Sequence, residues 1–317
     1  MDYSTSIPSD IASKTGPRLL GYLFNYGLFG VLSAQVYLYY LAFPKDPARN
    51  KAFVYSVFIL EILQTLIVSV SAFRVFASGY GDFNVYNEVD LAWLDVPVIS
   101  GIVAFIAEAF YAYRISILAQ SYWVCGIVML LALVQLGGSI ASAVVLKNAV
   151  LFSRLLGKRY SISAAIWNGG SALCDVIIAI CMTYYLLQRG SNGVSSTNKI
   201  VKRVVKLVIE TGTVTAAIAI INLVLSVLPS KPSYYQVPSV ILAKVYSNSM
   251  MAVLNSRVCL GAGDNDNLTS HTFKTGAATR GYGTGQYDLG GGIVTSREVF
   301  MSDDRGRHVE SSKGYLV

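Results

Sequence analysis

Five ionisable residues stand inside long apolar stretches of this chain: Glu61, Glu108, Asp175, Glu210 and Lys244. At the centre of a membrane helix each would cost on the order of 2.5–3.5 kcal/mol even on a lenient insertion scale, so each must be paired or face a wet interior. Their types admit three chemistries. Carboxylates joined through water relay protons, a lysine beside a carboxylate can form a Schiff base, and converging acids bind a ligand or an ion. With a rise of about 1.5 Å per residue, Glu61, Glu108 and Glu210 fall within two to three turns of the inner ends of their stretches. Asp175 falls near mid-depth, and Lys244 enters from the outer side.

Two groupings follow from those depths. Lys244 reaches Asp175 if the fifth and seventh stretches face each other, which would give a neutralising pair. The three glutamates converge on Arg114, Arg257, Asn248 and Asn255, giving a polar cluster in the inner half of a bundle. Against both stands the plainer reading that intramembrane polar groups lock helix packing.

The elements that must hold these residues are apolar helices. A hydrophobic fraction of 54%, a charged fraction of 14% and a mean hydropathy of +0.52 depart from a soluble domain, in which about a quarter of residues are charged. Spans are expected at 19–42, 53–76, 94–113, 123–146, 162–187, 204–228 and 237–258, each long enough to cross about 30 Å of hydrocarbon. Pro44, Lys45, Asp46 and Pro47 stop the first, and Pro229 and Pro232 follow the sixth. The fold class is therefore an all-α, seven-transmembrane-helix bundle, with a polar segment 1–18 before the membrane domain 19–260 and a tail over 261–317. The tail's Gly, Ser, Asp and Thr, with no sustained apolar period, read as disordered.

The remaining features narrow the function classes. A net charge of +7 sits in loops and tail rather than on one amphipathic face, so a bilayer is expected as partner and nucleic acid is not. The polar residues 1–18 carry no basic stretch followed by an apolar core and a small-residue cleavage site, so no cleaved signal peptide is expected. Cys125, Cys174, Cys181 and Cys259 lie in or beside spans and write no disulfide framework. Cys259, two residues after Arg257, is a candidate for lipidation, set against a plain buried thiol. His271 and His308 both lie in the tail, so neither a metal centre nor a Ser-His triad can be assembled in the bundle, and no enzyme activity and no cofactor are expected. Asn267-Leu268-Thr269 matches a glycosylation acceptor, which an inner tail would keep from the transferase. Lys and Arg are more frequent in the loops on the side of the carboxyl terminus, which orients the amino terminus outward and the tail to the cytoplasm.

The last span ends Lys244-Val-Tyr246-Ser-Asn248-Ser249 and then Leu254-Asn255-Ser-Arg257. In this pattern, and in Gln35-Val-Tyr37-Leu-Tyr39-Tyr40, Phe110-Tyr111-Ala-Tyr113-Arg114, Asp175 and Thr211-Gly212, the chain resembles a family of seven-span proteins from mushroom-forming fungi, classed as a domain of unknown function (6534). The resemblance covers residues 19 to about 258. It implies the fold and the membrane, and it lends no activity. Glu108 departs from it, standing where Gln is expected.

Two other seven-span classes fit less well. A retinal pigment needs the Lys of span seven and a counter-ion, but Val240 stands four residues before Lys244 where an acid is usual. A G-protein-coupled receptor would carry an acid before Arg114, where Tyr113 stands, and an Asn-Pro-x-x-Tyr motif in span seven. The reading that remains is an integral protein, placed at the plasma membrane, that senses or binds a small or apolar ligand. Alternatives are a transporter or channel using the intramembrane carboxylates, and a scaffold whose tail meets a cytoplasmic partner.

Overall fold

The computed structural model describes residues 11–82, 84–152, 158–191, 195–227 and 234–257. Within them seven helices are long and apolar enough to cross a bilayer. They are α1 (Ile11–Ala42), α2 (Ala48–Phe73), α3 (Ser100–Ala119), α4 (Tyr122–Ala149), α5 (Lys158–Ser191), α6 (Ser195–Val227) and α7 (Gln236–Asn255). The tail and Cys259 lie outside the described residues. The expected spans all appear, and several run further: α1 begins eight residues earlier than hydropathy alone suggests, and α3 continues to Ala119.

The bundle is built inside out, as a bilayer demands. Leu23, Phe24, Ile59, Leu66, Leu130 and Ile180 point outward, whereas Asn25, Gln64, Gln135, Asn168 and Asn222 are buried. Lipid replaces water around the bundle, so apolar side chains lose nothing by facing out while polar ones must find partners within. Burial identifies the centre: 72% of the apolar window of α7 and 61% of that of α3 are enclosed, against 28–39% in the other five. α1 lies along α7, α4 packs between α3 and α5, and α5 packs on α6.

Small residues set the closest approaches. A Cβ on Gly101 of α3 would fall 1.9 Å from Ser139 Oγ of α4, and one on Gly138 would fall 2.8 Å from the backbone of Trp167 on α5. α1 and α7 are parallel and share a heptad register: Asn248 Nδ2 donates to Leu28 O at 3.1 Å and Asn255 Nδ2 to Gln35 O at 2.9 Å, so both partners advance by seven. Nearer the amino-terminal end of α1, Asn25 returns a bond to Val240 O at 3.0 Å.

Two wider π-helical turns break the regularity, Arg74–Ser78 after α2 and Leu94–Ile99 before α3. Pro97 accounts for the second, since proline has no N–H to give and its ring collides with the carbonyl four residues back. At the end of this turn Pro97 O accepts from Ser100 N and from Ser139 Oγ of α4, the latter at 2.6 Å. Between the two turns the loop pairs with the end of α4 through a single bridge, Glu88 to Leu151, and Val89 N donates to Val150 O at 3.0 Å. Val150 makes this possible at a cost. With φ 63° and ψ −38° it centres a γ-turn closed by Leu151 N to Ala149 O at 2.7 Å, a strained geometry for a β-branched residue.

Candidate functional site

The interior polar groups fall into three levels along the bundle. At mid-depth Lys244 of α7 pairs with Glu61 of α2, both fully buried. Lys244 Nζ also donates to Gln64 Oε1 at 3.0 Å, and Ser247 Oγ donates to the other Glu61 oxygen. Gln64 Nε2 passes the network on to Ser100 Oγ at 3.2 Å and to the carbonyl of Asp95 at 3.3 Å.

The expected Lys244–Asp175 pair does not form. At 3.6 residues per turn, positions 244 and 246 of α7 point about 200° apart. Lys244 therefore faces α2, and Tyr246 is the residue that meets α5, donating to Asp175 Oδ2 at 2.7 Å and touching Ser171 Oγ. Glu61 also lies deeper than expected, because α2 starts after Pro47 and runs past Phe73, which sets residue 61 near its middle.

The expected convergence of Glu61, Glu108 and Glu210 on Arg114, Arg257, Asn248 and Asn255 does not form either. Glu108 accepts from Gln135 Nε2 of α4 at 2.6 Å. Glu210 faces outward and pairs with Lys206 one turn earlier at 3.6 Å. The guanidinium of Arg114 lies over the Phe110 ring at 5.6 Å. Asn248 and Asn255 serve the α1–α7 seam.

Arg257 instead closes the carboxyl-terminal end of the bundle. Its NH1 and NH2 groups reach Asp46 Oδ1 and Oδ2 at 3.0 and 2.9 Å in a two-point fork, the geometry that makes Arg–carboxylate pairs strong. Tyr39 OH at 2.6 Å and Asn50 Nδ2 at 3.0 Å donate to the same carboxylate, and the guanidinium stacks on Phe43 at 4.4 Å. The Arg257 hydrogen bond, with those of Tyr39 and Asn50, holds the Asp46 carboxyl down at about 2, and Asp46 in turn raises Arg257.

The amino-terminal end is open by contrast. An open-mouthed cavity lies among the starts of α1, α5 and α7, the ends of α2 and α4, and the 85–97 loop. Aromatic side chains wall it: Tyr22, Phe152, Tyr160, Trp167 and Tyr235. Burial pushes the Tyr235 phenol well above its ordinary range, which keeps it a neutral hydroxyl. Arg74 stands at the cavity, paired with Glu88 at 2.5 Å and Asp90 at 2.6 Å. Arg18 donates through Nε to Gln236 Oε1 at 3.2 Å and lies over Phe152 at 5.3 Å. Beside it Asn222 bridges helices, giving Nδ2 to Asn168 at 2.9 Å and accepting from Ser239 Oγ at 2.7 Å.

Asp95 joins the cavity to the mid-depth network. It lines the cavity, is 6% exposed, and gives its carbonyl to Gln64, while its Oδ1 finds no hydrogen-bond partner among the described residues. Sequence reasoning set the third span at residue 94 yet passed over this acid, although a carboxylate just inside a span and two residues before a proline was a usable signal. Asp46 was read only as a loop charge, because nothing local says that residue 257 will fold back on it.

Among the described residues no group of His, Cys, Asp and Glu is placed to hold a metal ion. No curated protein and no solved structure matches the chain. The match that is found begins at the residue that touches Tyr246 and ends two residues past Arg257: residues 171–259 fit the model of a family of unknown function (DUF6534).

Proposed function

We propose that this membrane protein is receptor-like and binds a small ligand in the amino-terminal cavity, without catalysing a reaction on it. The observation that carries this reading is the cavity itself. Its aromatic walls with a few polar groups have the composition of small-molecule sites. Asp95 and Gln64 connect it to the Lys244–Glu61 pair, so a ligand that shifts Asp95 bears on the contact between α2 and α7.

In this reading the amino terminus faces outward at the plasma membrane, the cavity opens outside, and the tail is left to a cytoplasmic partner. The resemblance to the fungal seven-span family supports the architecture and is silent on the ligand. The transport reading is weaker, since Asp175 is capped directly by Tyr246 and one oxygen of Glu108 is held by Gln135.

The test is a thermal-shift screen of small molecules on the protein in lipid nanodiscs, with Ala92→Trp, which fills the cavity, as control, and flux of any hit measured in proteoliposomes. Hits that stabilise the native chain but not the filled variant, and that are not transported, support the reading. Saturable flux abolished by Asp175→Asn would replace it with transport. Protease access to the tail from outside intact cells would reverse the orientation.

A further inference from the structure

The chemistry of the cavity wall narrows the class of ligand, on the premise that the cavity is the binding site. Three carboxylates and two guanidiniums line it: Glu88, Asp90 and Asp95 against Arg18 and Arg74. Arg74 is taken up by Glu88 and Asp90 at the loop. Arg18 is turned to Gln236 and the Phe152 ring. Deeper in, Lys244 is matched by Glu61. These pairings leave Asp95 as the acid whose charge no cation answers directly, and its Oδ1 is buried without a hydrogen-bond partner.

A buried acceptor left empty loses the full worth of the bond it fails to make, and more so when it is charged. A second wall group is in the same state, since the indole Nε1 of Trp167 is buried without a partner. The wall therefore holds one acceptor and one donor unspent, which suits a polar ligand better than a hydrocarbon. The aromatic faces around them attract positive charge through their quadrupoles, most strongly where water is excluded.

We infer that the cavity takes a small organic ammonium ion carrying an aromatic or apolar body, with the ammonium N–H groups donating to Asp95. Carboxylate-bearing ligands are disfavoured by the same acid. Neutral ligands of the same shape keep the packing but forgo the charge-assisted bond, which is about twice as strong as a neutral one.

The experiment compares three probes of one shape, phenethylamine, phenethyl alcohol and phenylacetate, by thermal shift and calorimetry on the full chain in nanodiscs, with sodium chloride as the inorganic-cation control. The amine is expected to bind about tenfold to a hundredfold more tightly than the alcohol, as a hydrogen bond to a charged group predicts, and phenylacetate not at all. Asp95→Asn is expected to bring the amine down to the level of the alcohol. Because the native chain alone supplies the ranking, the test stands even if that variant fails to fold. Equal binding of amine and alcohol, or amine binding untouched by Asp95→Asn, would overturn the ammonium assignment while leaving a small-molecule site in place. Stabilisation by sodium chloride equal to that by the amine would overturn it in favour of an inorganic ion. Absence of binding by all three probes would also overturn it, whereas the cavity reading falls only if the wider screen finds no hit that Ala92→Trp removes.

Discussion

The two ends of the bundle solve the same problem in opposite ways. At the carboxyl-terminal end Asp46 receives Arg257, Tyr39 and Asn50, so both carboxylate oxygens are used and the guanidinium is forked and stacked. At the amino-terminal end Asp95 is more deeply placed, yet one of its oxygens is left without a partner, and a cavity stands beside it. One acid is a clasp and the other is held in reserve. A group whose hydrogen-bond capacity is spent contributes stability, whereas a buried one left unspent costs it.

The largest expected effect lies between the ends. Lys244→Met strands the Glu61 charge in the interior and should destabilise the bundle by about 3–5 kcal/mol, read by unfolding in mixed micelles. The double variant with Glu61→Gln should recover most of that loss, because a neutral interior no longer needs the cation. Recovery of none of it would mean that the pair acts through shape rather than charge.

Next comes the direct contrast between the two acids. Asp46→Asn should cost about 2 kcal/mol, the worth of hydrogen bonds to a charged group. Asp95→Asn should leave stability within about 1 kcal/mol or raise it, since it removes a buried charge that no cation answers directly. If both substitutions cost the same, the distinction between a closed and an open end is lost.

Acid should act on the closed end in a defined window. The Asp46 carboxyl titrates at about 2 in the folded state against an ordinary 3.8, so its contribution is complete above pH 4 and disappears as the pH falls toward 2. Melting curves across that window should flatten in Asp46→Asn relative to the native chain. An unchanged slope would show that other carboxylates control the acid transition.

The smallest effect concerns the rim of the open end. Val150→Gly should stabilise by about 1 kcal/mol or less, because glycine adopts the positive φ of this γ-turn without a Cβ clash, offset in part by its greater freedom when unfolded. A loss of stability would mean that the valine side chain matters more to the rim than the backbone does.

Particular residues show why part of this was legible in the sequence and part was not. All seven spans were readable because bilayer thickness imposes a length on each segment separately. Their ends were less so: α1 reaches back to Ile11 because helical hydrogen bonding continues past the apolar stretch. Glu108, Asp175 and Lys244 were found as interior groups because a charge in an apolar run is conspicuous by itself. Glu210 was misplaced for the same reason, since an acid one turn from Lys206 near a span's end can simply face outward.

Sequence by itself thus determined that the chain crosses a membrane seven times, that its last helix carries a lysine at depth, and that this helix resembles those of an uncharacterised family. These are properties of single segments, decided by hydropathy, length and local pattern. The tertiary structure alone decided that Lys244 meets Glu61 and not Asp175, that Arg257 clasps Asp46, and that Asp95 stands at a cavity with an oxygen to spare. Such pairings depend on the rotation of each helix about its axis and on its neighbours, and one residue's shift around an α-helix turns a side chain by about 100°.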